Sequence, residues 1–386
     1  WTTAAGAERA LGRPTPALAL GRMAVSPLLA VTLAAAVAVL APGAVPSAVP
    51  VLALWVVAPW LAAWTGQRLP EHAHVLTQEQ RNRLRRLARQ TWHFFERFVG
   101  PDDNWLPPDH YQEEPLGTVA HRTSPTNVGL YLTSCVTAYD LGYLGVVGFT
   151  ARLGRTFETL GRLERVRGHF LNWYDTRTLR PLRPRYVSAV DSGNLLAALL
   201  TLRQALLELP GRRAWRRERW EGLLDGLGIY GDVVSSLDPT APTRDLIAAL
   251  RVEVAAALDD ESRWPALLVT LRERLATVDE SVRPLLRGTR RLTAAQLTAL
   301  GEWRTRVAAD AEALGRDVSL LLPWHRALAE PPAALRRAPE AASLRRAWEA
   351  LTALPVSVPL LELPDVYARA REAVAGLRAA AATELT

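Results

Sequence analysis

The pattern of hydrophobic and polar positions along the chain begins with two uncharged apolar segments. Residues 24–41 and 47–64 carry no charged side chain, and each approaches the roughly 20 residues that a membrane-spanning helix needs. Arginines precede the first segment and follow the second, whereas the turn at 42–46 is uncharged. By the positive-inside rule, this pattern predicts a transmembrane helical pair with both ends in the cytoplasm. Because Pro and Ala weaken both segments, a buried hairpin in a soluble protein is the alternative.

Helical periodicity dominates the chain after the apolar segments. Thr77 and Gln80 have capping-box spacing before a long apolar stripe, and Ser124 is a predicted cap with proline in the first turn. Ser192 is the predicted start of a later helix, after a polar-aromatic loop or short hairpin over 168–191. The helices predicted before residue 211 lie at about 77–99, 124–142, 148–166 and 193–209.

Residues 212–386 are rich in Ala, Leu, Arg and Glu, with helical periodicity throughout. We expect four or five amphipathic helices in this range, and the pattern contains no convincing strand. Helical hairpins with long polar loops at one end favour an all-α fold that forms part of an α/α toroid. A plain helical bundle is the competing architecture.

Composition excludes several classes of function. The formal charge is +7, but the basic residues lie among Glu on helical stretches rather than in a stripe with aromatic rings, so nucleic-acid binding is not expected. A single Cys excludes a disulfide framework and a multi-thiolate zinc site. Cys135 lies on an apolar helical face and is predicted to be buried. His72 and His74 lack the neighbouring ligands that a metal site requires, so we expect no metal and no cofactor.

Three stretches differ from the helical background because they combine aromatic rings, carboxylates, amides and Arg. They occupy residues 102–114, 121–127 and 172–194, and the last two lead directly into helix N-termini. Sugar sites use this mixture, since ring faces cover C–H patches while Asp, Asn and Arg satisfy hydroxyl groups. Helix capping and loop packing are the alternative explanation. Dinucleotide, Walker A and nucleophile-elbow motifs are absent from the sequence.

The amino-acid sequences of these stretches resemble those of a known family. The segments FVGPDDNWLPPDHYQEEP, RTSPTNVGLYLTSCVTAYDLGYLG and RGHFLNWYDTRTLRPLRPRYVSAVDSGN resemble the middle, glucoamylase-like region of cyclic β-1,2-glucan synthases. The resemblance is strong over about residues 80–210 and limited to general helical character over 212–386. It implies an (α/α)6 toroid that closes a β-1,2-glucan ring by retaining transglycosylation, between an upstream glycosyltransferase domain and a downstream phosphorylase-like domain.

The same resemblance implies which residues contact the sugar. The positions that match the family's motifs are candidates for glucan subsites: Arg122, Thr123, Asn127, Trp173, Tyr174, Asp175, Asp191 and Asn194. Retaining chemistry needs two carboxylates about 5–5.5 Å apart, and the Glu motifs that supply them in the family are not found in this sequence. We therefore expect no catalytic residue here, and together with the initial Trp1 this suggests a fragment of a longer protein.

These observations give a predicted organisation and three competing functions. Residues 1–66 form the membrane hairpin, 77–210 the first part of the toroid, and 211–386 an incomplete helical continuation or insertion. The chain is then an inactive piece of a bacterial inner-membrane synthase with its soluble part in the cytoplasm. Its expected partners are β-1,2-glucan, the lipid bilayer and the rest of the parent polypeptide. The alternatives are a non-catalytic glucan-binding module and a purely structural helical module.

A fourth possibility is an internal hydrolase that uses other carboxylates. The available choices are Glu113, Glu114, Asp175 and Asp191.

Overall fold

The computed structural model describes residues 20–65, 75–115, 117–238, 240–287, 292–329 and 342–384. The chain is all-α in these ranges, as the sequence predicts, and its strands are only two residues long. It divides into two compact units, Trp1–Leu76 and Thr77–Thr386. The toroidal arrangement of the helices and the further division at residue 210 stay predictions.

The first unit contains an apolar helical hairpin. Its helices are α1 (Val25–Leu40) and α2 (Val45–Thr65), joined by a short 3-10 turn at Pro42–Ala44. The Ser26 hydroxyl donates to the Trp55 carbonyl oxygen at 2.9 Å, which ties the two helices together.

Only part of the predicted transmembrane pair has spanning length. Within the described ranges, one helical segment, Pro42–Thr65, is long and apolar enough to cross a membrane by length and composition. Helix α1 has 16 residues, which corresponds to roughly 24 Å against a hydrocarbon core of about 30 Å. The expectation of two spanning helices is therefore replaced by one helix of spanning length and a shorter apolar neighbour.

The second unit begins with four helices separated by loops. The elements of this part are α3 (Gln78–Phe98), β1 (Tyr111–Gln112), β2 (Thr118–Val119), β3 (Arg122–Thr123), α4 (Pro125–Asp140), α5 (Val146–Arg162), β4 (Arg165–Val166), β5 (His169–Phe170), β6 (Tyr174–Asp175) and α6 (Ala189–Glu208). Thr77 and Gln80 form the predicted capping box at the start of α3. Ser124 caps α4 by accepting from the Asn127 backbone N–H at 3.2 Å. These two helix starts are confirmed.

One expectation for this part is wrong. Helix α6 begins at Ala189 rather than at 193, because Ser188 and not Ser192 accepts the capping hydrogen bond from the Asp191 N–H at 3.1 Å. Three antiparallel pairs also form between two-residue strands in this part, where the sequence predicted a loop or short hairpin over 168–191. The pair β3–β6 joins segments that are about 50 residues apart in the sequence.

The remaining elements of the second unit are all helical. They are α7 (Arg217–Leu237), α8 (Pro242–Ala257), α9 (Trp264–Arg287), α10 (Ala294–Leu321), α11 (His325–Ala329), α12 (Ala342–Thr352) and α13 (Leu363–Glu384). These described helices exceed the four or five predicted for this range. The sequence pattern does not mark the breaks at about 258–263 and 322–324, because both are short and lie between strongly helical segments.

Buried apolar side chains form two clusters in the second unit. One lies among α3–α6 and includes Tyr131, Phe149 and Leu202; the other lies among α7–α13 and includes Trp215 and Trp264. The first cluster also buries Cys135, as predicted.

The backbone is tightly packed where the chain passes from one cluster to the other. Gly142 follows the end of α4 with φ +85°, and a Cβ there would lie 1.7 Å from the Glu218 carbonyl oxygen. Glycine is required at this position for both its conformation and its size.

A buried ion cluster connects α3 to α10. Arg89 is fully buried, and its guanidinium donates to Glu96 Oε2 and to Asp310 Oδ2, each at 2.8 Å. Burial alone would raise the pKa of Glu96, but the charges and hydrogen bonds of its neighbours, with Arg89 the largest, lower it to about 2. The two cores are therefore linked through charges that are largely buried, with Arg89 at 0% and Asp310 at 12% exposure.

Candidate functional site

Pairing of β3 with β6 brings two of the three polar-aromatic stretches side by side. Arg122 lies opposite Asp175, and Thr123 lies opposite Tyr174. The strand β3 leads directly into α4, which packs along α6 through the small residues Gly129 and Ala198. The N-terminal ends of α4 and α6 therefore lie beside the paired strands, and the candidate residues gather around them.

Asp109, from the first stretch, connects the other two. Its Oδ2 accepts from Arg122 Nε at 3.1 Å and Nη2 at 2.9 Å, while its Oδ1 accepts from Asn127 Nδ2 at 3.2 Å. The Arg122 guanidinium lies over the Trp173 ring, 5.0 Å from the ring centroid. Although burial raises the pKa of Asp109, the hydrogen bonds from Asn127 and Arg122 outweigh it and lower that pKa. Asp109 is thus an ionised acceptor at neutral pH.

A second set of hydrogen bonds joins the two helix N-termini. The Thr126 hydroxyl donates to Asp191 Oδ1 at 2.5 Å and accepts from Asn194 Nδ2 at 3.1 Å. Asp191 is half-buried in the first turn of α6, whereas Asn194 is exposed. We call the residues of these two sets the α4–α6 rim: Asp109, Arg122, Thr126, Asn127, Trp173, Asp191 and Asn194.

A buried hub at Asp103 holds the loops of the rim in place. Asp103 Oδ1 accepts from the Thr176 hydroxyl at 2.5 Å and from His121 Nδ1 at 2.7 Å. Arg177 Nη2 donates to His121 Nε2 at 2.7 Å, so Nδ1 is the ring nitrogen that donates to Asp103. Asn104 adds hydrogen bonds from Nδ2 to the carbonyls of Thr176 and Arg177. All three stretches are therefore fixed to one another by polar contacts.

Two of the predicted subsite residues lie in the core. Tyr174 is 1% exposed, and its hydroxyl donates to the Glu164 carbonyl at 2.6 Å and accepts from the Leu171 N–H at 2.7 Å. Thr123 is also 1% exposed, and its hydroxyl has no partner within the described part of the chain. Neither side chain offers a surface to a sugar in this structure. Both side chains are buried because successive side chains along a strand point in opposite directions. Their strand neighbours, Arg122 and Asp175, take the outward positions.

Asp175 supports a turn rather than an open site. Its Oδ1 accepts from the Thr178 N–H at 2.7 Å, from the Arg177 N–H at 3.0 Å and from the Thr178 hydroxyl at 3.0 Å. Burial raises the pKa of Asp175, but these hydrogen bonds, first of all from Thr178, lower it below its ordinary value. The carboxylate is ionised, and one of its oxygens is occupied by the turn.

The candidates of the sequence analysis thus separate into two groups. The structure brings together Arg122, Asn127, Trp173, Asp191 and Asn194. The other group consists of Thr123 and Tyr174, which are buried, and Asp175, which has one oxygen bound by a turn. Sequence reasoning missed Asp109 as the central acceptor of the rim. Its only signal is its place as the last acidic residue before His110 in a Pro-rich loop.

Other chemistry is limited in the described ranges. No group of three or more His, Cys, Asp or Glu side chains that could hold a metal ion occurs there, and His72 and His74 lie outside the described residues. Burial raises the pKa of the Cys135 thiol to about 12, which makes it a poor nucleophile. Glu113 and Glu114 are exposed on the loop between β1 and β2.

Comparison with known proteins supports the resemblance read from the motifs. No protein-family model matches the chain. A 207-residue stretch, 52% of the chain, is 38% identical to the cyclic beta-(1,2)-glucan synthase NdvB of Rhizobium meliloti strain 1021. The match spans 7% of the length of that protein. The comparison confirms the resemblance of this chain to the cyclic β-1,2-glucan synthases.

Proposed function

We propose that the α4–α6 rim binds β-1,2-glucan as part of a cyclic β-1,2-glucan synthase. The observation that carries this proposal is the meeting of Trp173, Arg122 and Asp109 across the β3–β6 pair. This arrangement combines an aromatic ring with an ionised carboxylate and a guanidinium, as sugar recognition requires. The similarity to a glucan synthase supports the choice of ligand.

The rim has two places at which it could bind a sugar. Near Trp173, the half-buried ring offers apolar surface to C–H groups beside the Arg122 guanidinium that lies over it, and Asp109 can accept from a hydroxyl. Near the helix N-termini, Asp191 can accept and the exposed amide of Asn194 can donate or accept. Since the internal hydrogen bonds already hold these groups in position, little side-chain entropy would be lost on binding.

We further propose that the rim holds the glucan for ring closure by retaining transglycosylation, without supplying the reacting carboxylates. A general acid for glycoside chemistry needs a raised pKa. The pKa values of Asp109 and Asp175 are instead lowered by hydrogen bonds, from Asn127 and Thr178 above all, that outweigh the raising effect of burial. This chain alone is therefore expected to be inactive on linear β-1,2-glucan.

The proposed location is the bacterial inner membrane, with the second unit in the cytoplasm. It rests on the apolar segment Pro42–Thr65 and on the arginines that flank the hairpin in the sequence. The lipid bilayer and the remaining domains of a synthase would then be partners of this chain.

The proposal can be tested by titrating the full chain with linear β-1,2-glucan in a calorimeter. Trp173→Ala should weaken binding about tenfold, because removing a ring contact of about 1–2 kcal/mol changes the affinity by roughly that factor. Trp64→Ala is the matched control, since this exposed ring belongs to the hairpin and not to the rim. Unchanged affinity in Trp173→Ala would remove that ring from the subsite.

A purely structural module is the second candidate function. It is favoured by the internal use of Tyr174, Asp175 and Asp103, each of which makes hydrogen bonds to other loop residues. Absence of any heat of binding with linear β-1,2-glucan, while the chain remains folded, would decide for this candidate.

The expected inactivity has its own test. Incubation of the full chain with linear β-1,2-glucan should give neither cyclic nor shortened products by mass spectrometry. If products form, the variants Glu113→Gln, Glu114→Gln, Asp175→Asn and Asp191→Asn would identify the carboxylate responsible.

A further inference from the structure

A long groove runs between α9 and α10, with Tyr230 of α7 among its lining residues. Its volume is about 990 Å³. The α10 residues that line it recur at helical spacing from Arg304 to Leu320, a distance of 16 positions. At about 1.5 Å per residue these positions extend over roughly 24 Å. We call this feature the α9–α10 groove; its shape suits an elongated ligand.

Most of the groove wall is aliphatic. The side chains that form it include Leu268, Leu271, Leu275, Val307, Ala308 and Ala311. Such a surface favours a hydrocarbon over a hydroxyl-rich sugar, because sugar hydroxyls would lose their hydrogen bonds to water without replacement. The groove is therefore unsuited to the glucan proposed for the α4–α6 rim.

One polar atom in this wall has no partner. Tyr230 is 2% exposed, and its hydroxyl makes no hydrogen bond within the residues that the structure describes. Burial, the largest cause, raises the pKa of Tyr230 to about 12, so the group is a neutral hydroxyl that can donate. Buried hydroxyl groups normally have partners. An acceptor on a bound ligand would satisfy this one.

The charged residues of the groove carry an excess of positive charge. The lining includes Arg272, Arg304, Arg316 and Arg326 against Asp279 and Glu312. Arg304 pairs with Asp279, and Arg316 pairs with Glu312. The other two arginines have no ion-pair partner in the described part of the chain. An anionic group is the charge complement of this lining.

From these features we infer that the α9–α10 groove binds an alkyl chain with an anionic headgroup. The aliphatic wall covers the chain, Arg272 attracts the headgroup, and Tyr230, beside Asp279 and so about two helical turns along α9 from Arg272, donates to an ester or carboxylate oxygen. A membrane phospholipid and a free fatty acid share this chemistry. This inference is independent of the glucan proposal, because it uses no residue of the α4–α6 rim.

The experiment is native mass spectrometry of the full chain in a neutral maltoside detergent. The probes are palmitate and palmitoyl lysophosphatidylglycerol, with palmitoyl lysophosphatidylcholine as the control for headgroup charge. We expect one anionic amphiphile per chain, with at least about tenfold preference over the choline compound, because Arg272 attracts the anionic headgroup. Binding of palmitate alone would identify a fatty-acid site, and binding of the phosphatidylglycerol a lipid site.

Variants locate the binding in the groove. Ala311→Trp fills the wall and should abolish retention, whereas Thr305→Trp, on an exposed position of the same helix outside the lining, should leave it unchanged. Tyr230→Phe removes only the hydroxyl and should weaken binding about three- to tenfold. Circular dichroism melting of each variant checks that it is folded.

Three results would overturn the inference. The first is retention of neither anionic probe, and the second is equal retention of the choline compound. The third is a dimer that Ala311→Trp dissociates, which would assign the groove to a second copy of the chain.

Discussion

The α4–α6 rim and the α9–α10 groove treat polar groups in opposite ways. In the rim, loops that are distant in the sequence bind one another, and Asp109, Asp103 and Thr126 each have at least two partners. In the groove, two regular helices leave an aliphatic wall, and the Tyr230 hydroxyl has no partner among the residues that the structure describes. The difference indicates a preorganised polar surface in one region and a mainly aliphatic surface between regular helices in the other.

The two regions are nevertheless joined, and the largest expected effect comes from breaking that connection. Arg89→Met would remove the buried cation that Glu96 and Asp310 share and leave Glu96 with Arg306 at 3.3 Å, so we expect a loss of about 3–5 kcal/mol in the free energy of unfolding. Chemical denaturation measures this loss. If the two cores fold separately, denaturation would show two unfolding transitions, and only one of them would shift in the variant. That result would mean that the two regions belong to independent domains.

The control for that prediction is on the same helix. Arg86 pairs with Asp232, but both side chains are about half exposed, at 50% and 55%. Arg86→Met should therefore cost about 0–1 kcal/mol. Equal losses in the two variants would contradict the importance of the buried cluster.

A smaller effect is expected at the hub below the rim. Asp103→Ala removes the acceptor of His121 and Thr176, and leaving buried donors unpaired should cost about 1–3 kcal/mol. Asp102→Ala, at the exposed neighbouring position, should change the free energy of unfolding by no more than about 0.5 kcal/mol. A melt that does not distinguish the two would mean that the rim is not held by this network.

The sequence predicted the local features of these regions better than it predicted which segments contact one another. Thr77 and Ser124 were identifiable as caps because each precedes an apolar stripe at the correct spacing. The start of α6 was misplaced at Ser192, since the polar group at 191–194 resembles a loop, whereas the cap is Ser188. Asp191 and Asn194 therefore lie on helical turns, where an acidic residue near the N-terminus is favourable.

The sequence pattern did not predict the long-range contacts. The β3–β6 pair has two residues per strand, which is too short for an alternating pattern, and the burial of Tyr174 and Thr123 follows from it. Asp109 acts through Arg122 and Asn127, which no spacing rule connects to it. Tyr230 has an ordinary position on an amphipathic helix, and its lack of a partner depends on the packing of α9 and α10.

The pH dependence of unfolding gives a subtler test of the buried cluster. Because the folded-state pKa of Glu96 is lowered from 4.5 to about 2, its stabilising contribution is present above pH 4.5 and is lost as the pH falls toward 2. Burial raises the pKa of Asp310, which opposes part of this slope.

The comparison to make is between the wild type and Glu96→Gln. The free energy of unfolding of the wild type should fall more steeply between pH 5 and about pH 2.5 than that of the variant. Parallel profiles would show that Glu96 does not titrate as the cluster requires.

The most direct test of the two-region account is amide hydrogen exchange of the full chain with and without linear β-1,2-glucan. Ligand contact slows exchange where it stabilises the backbone against opening. The account predicts added protection within residues 118–127 and 172–194, and no change within 264–287 or 294–321. Protection confined to the α9 and α10 segments, or no protection at the rim under saturating glucan, would contradict it.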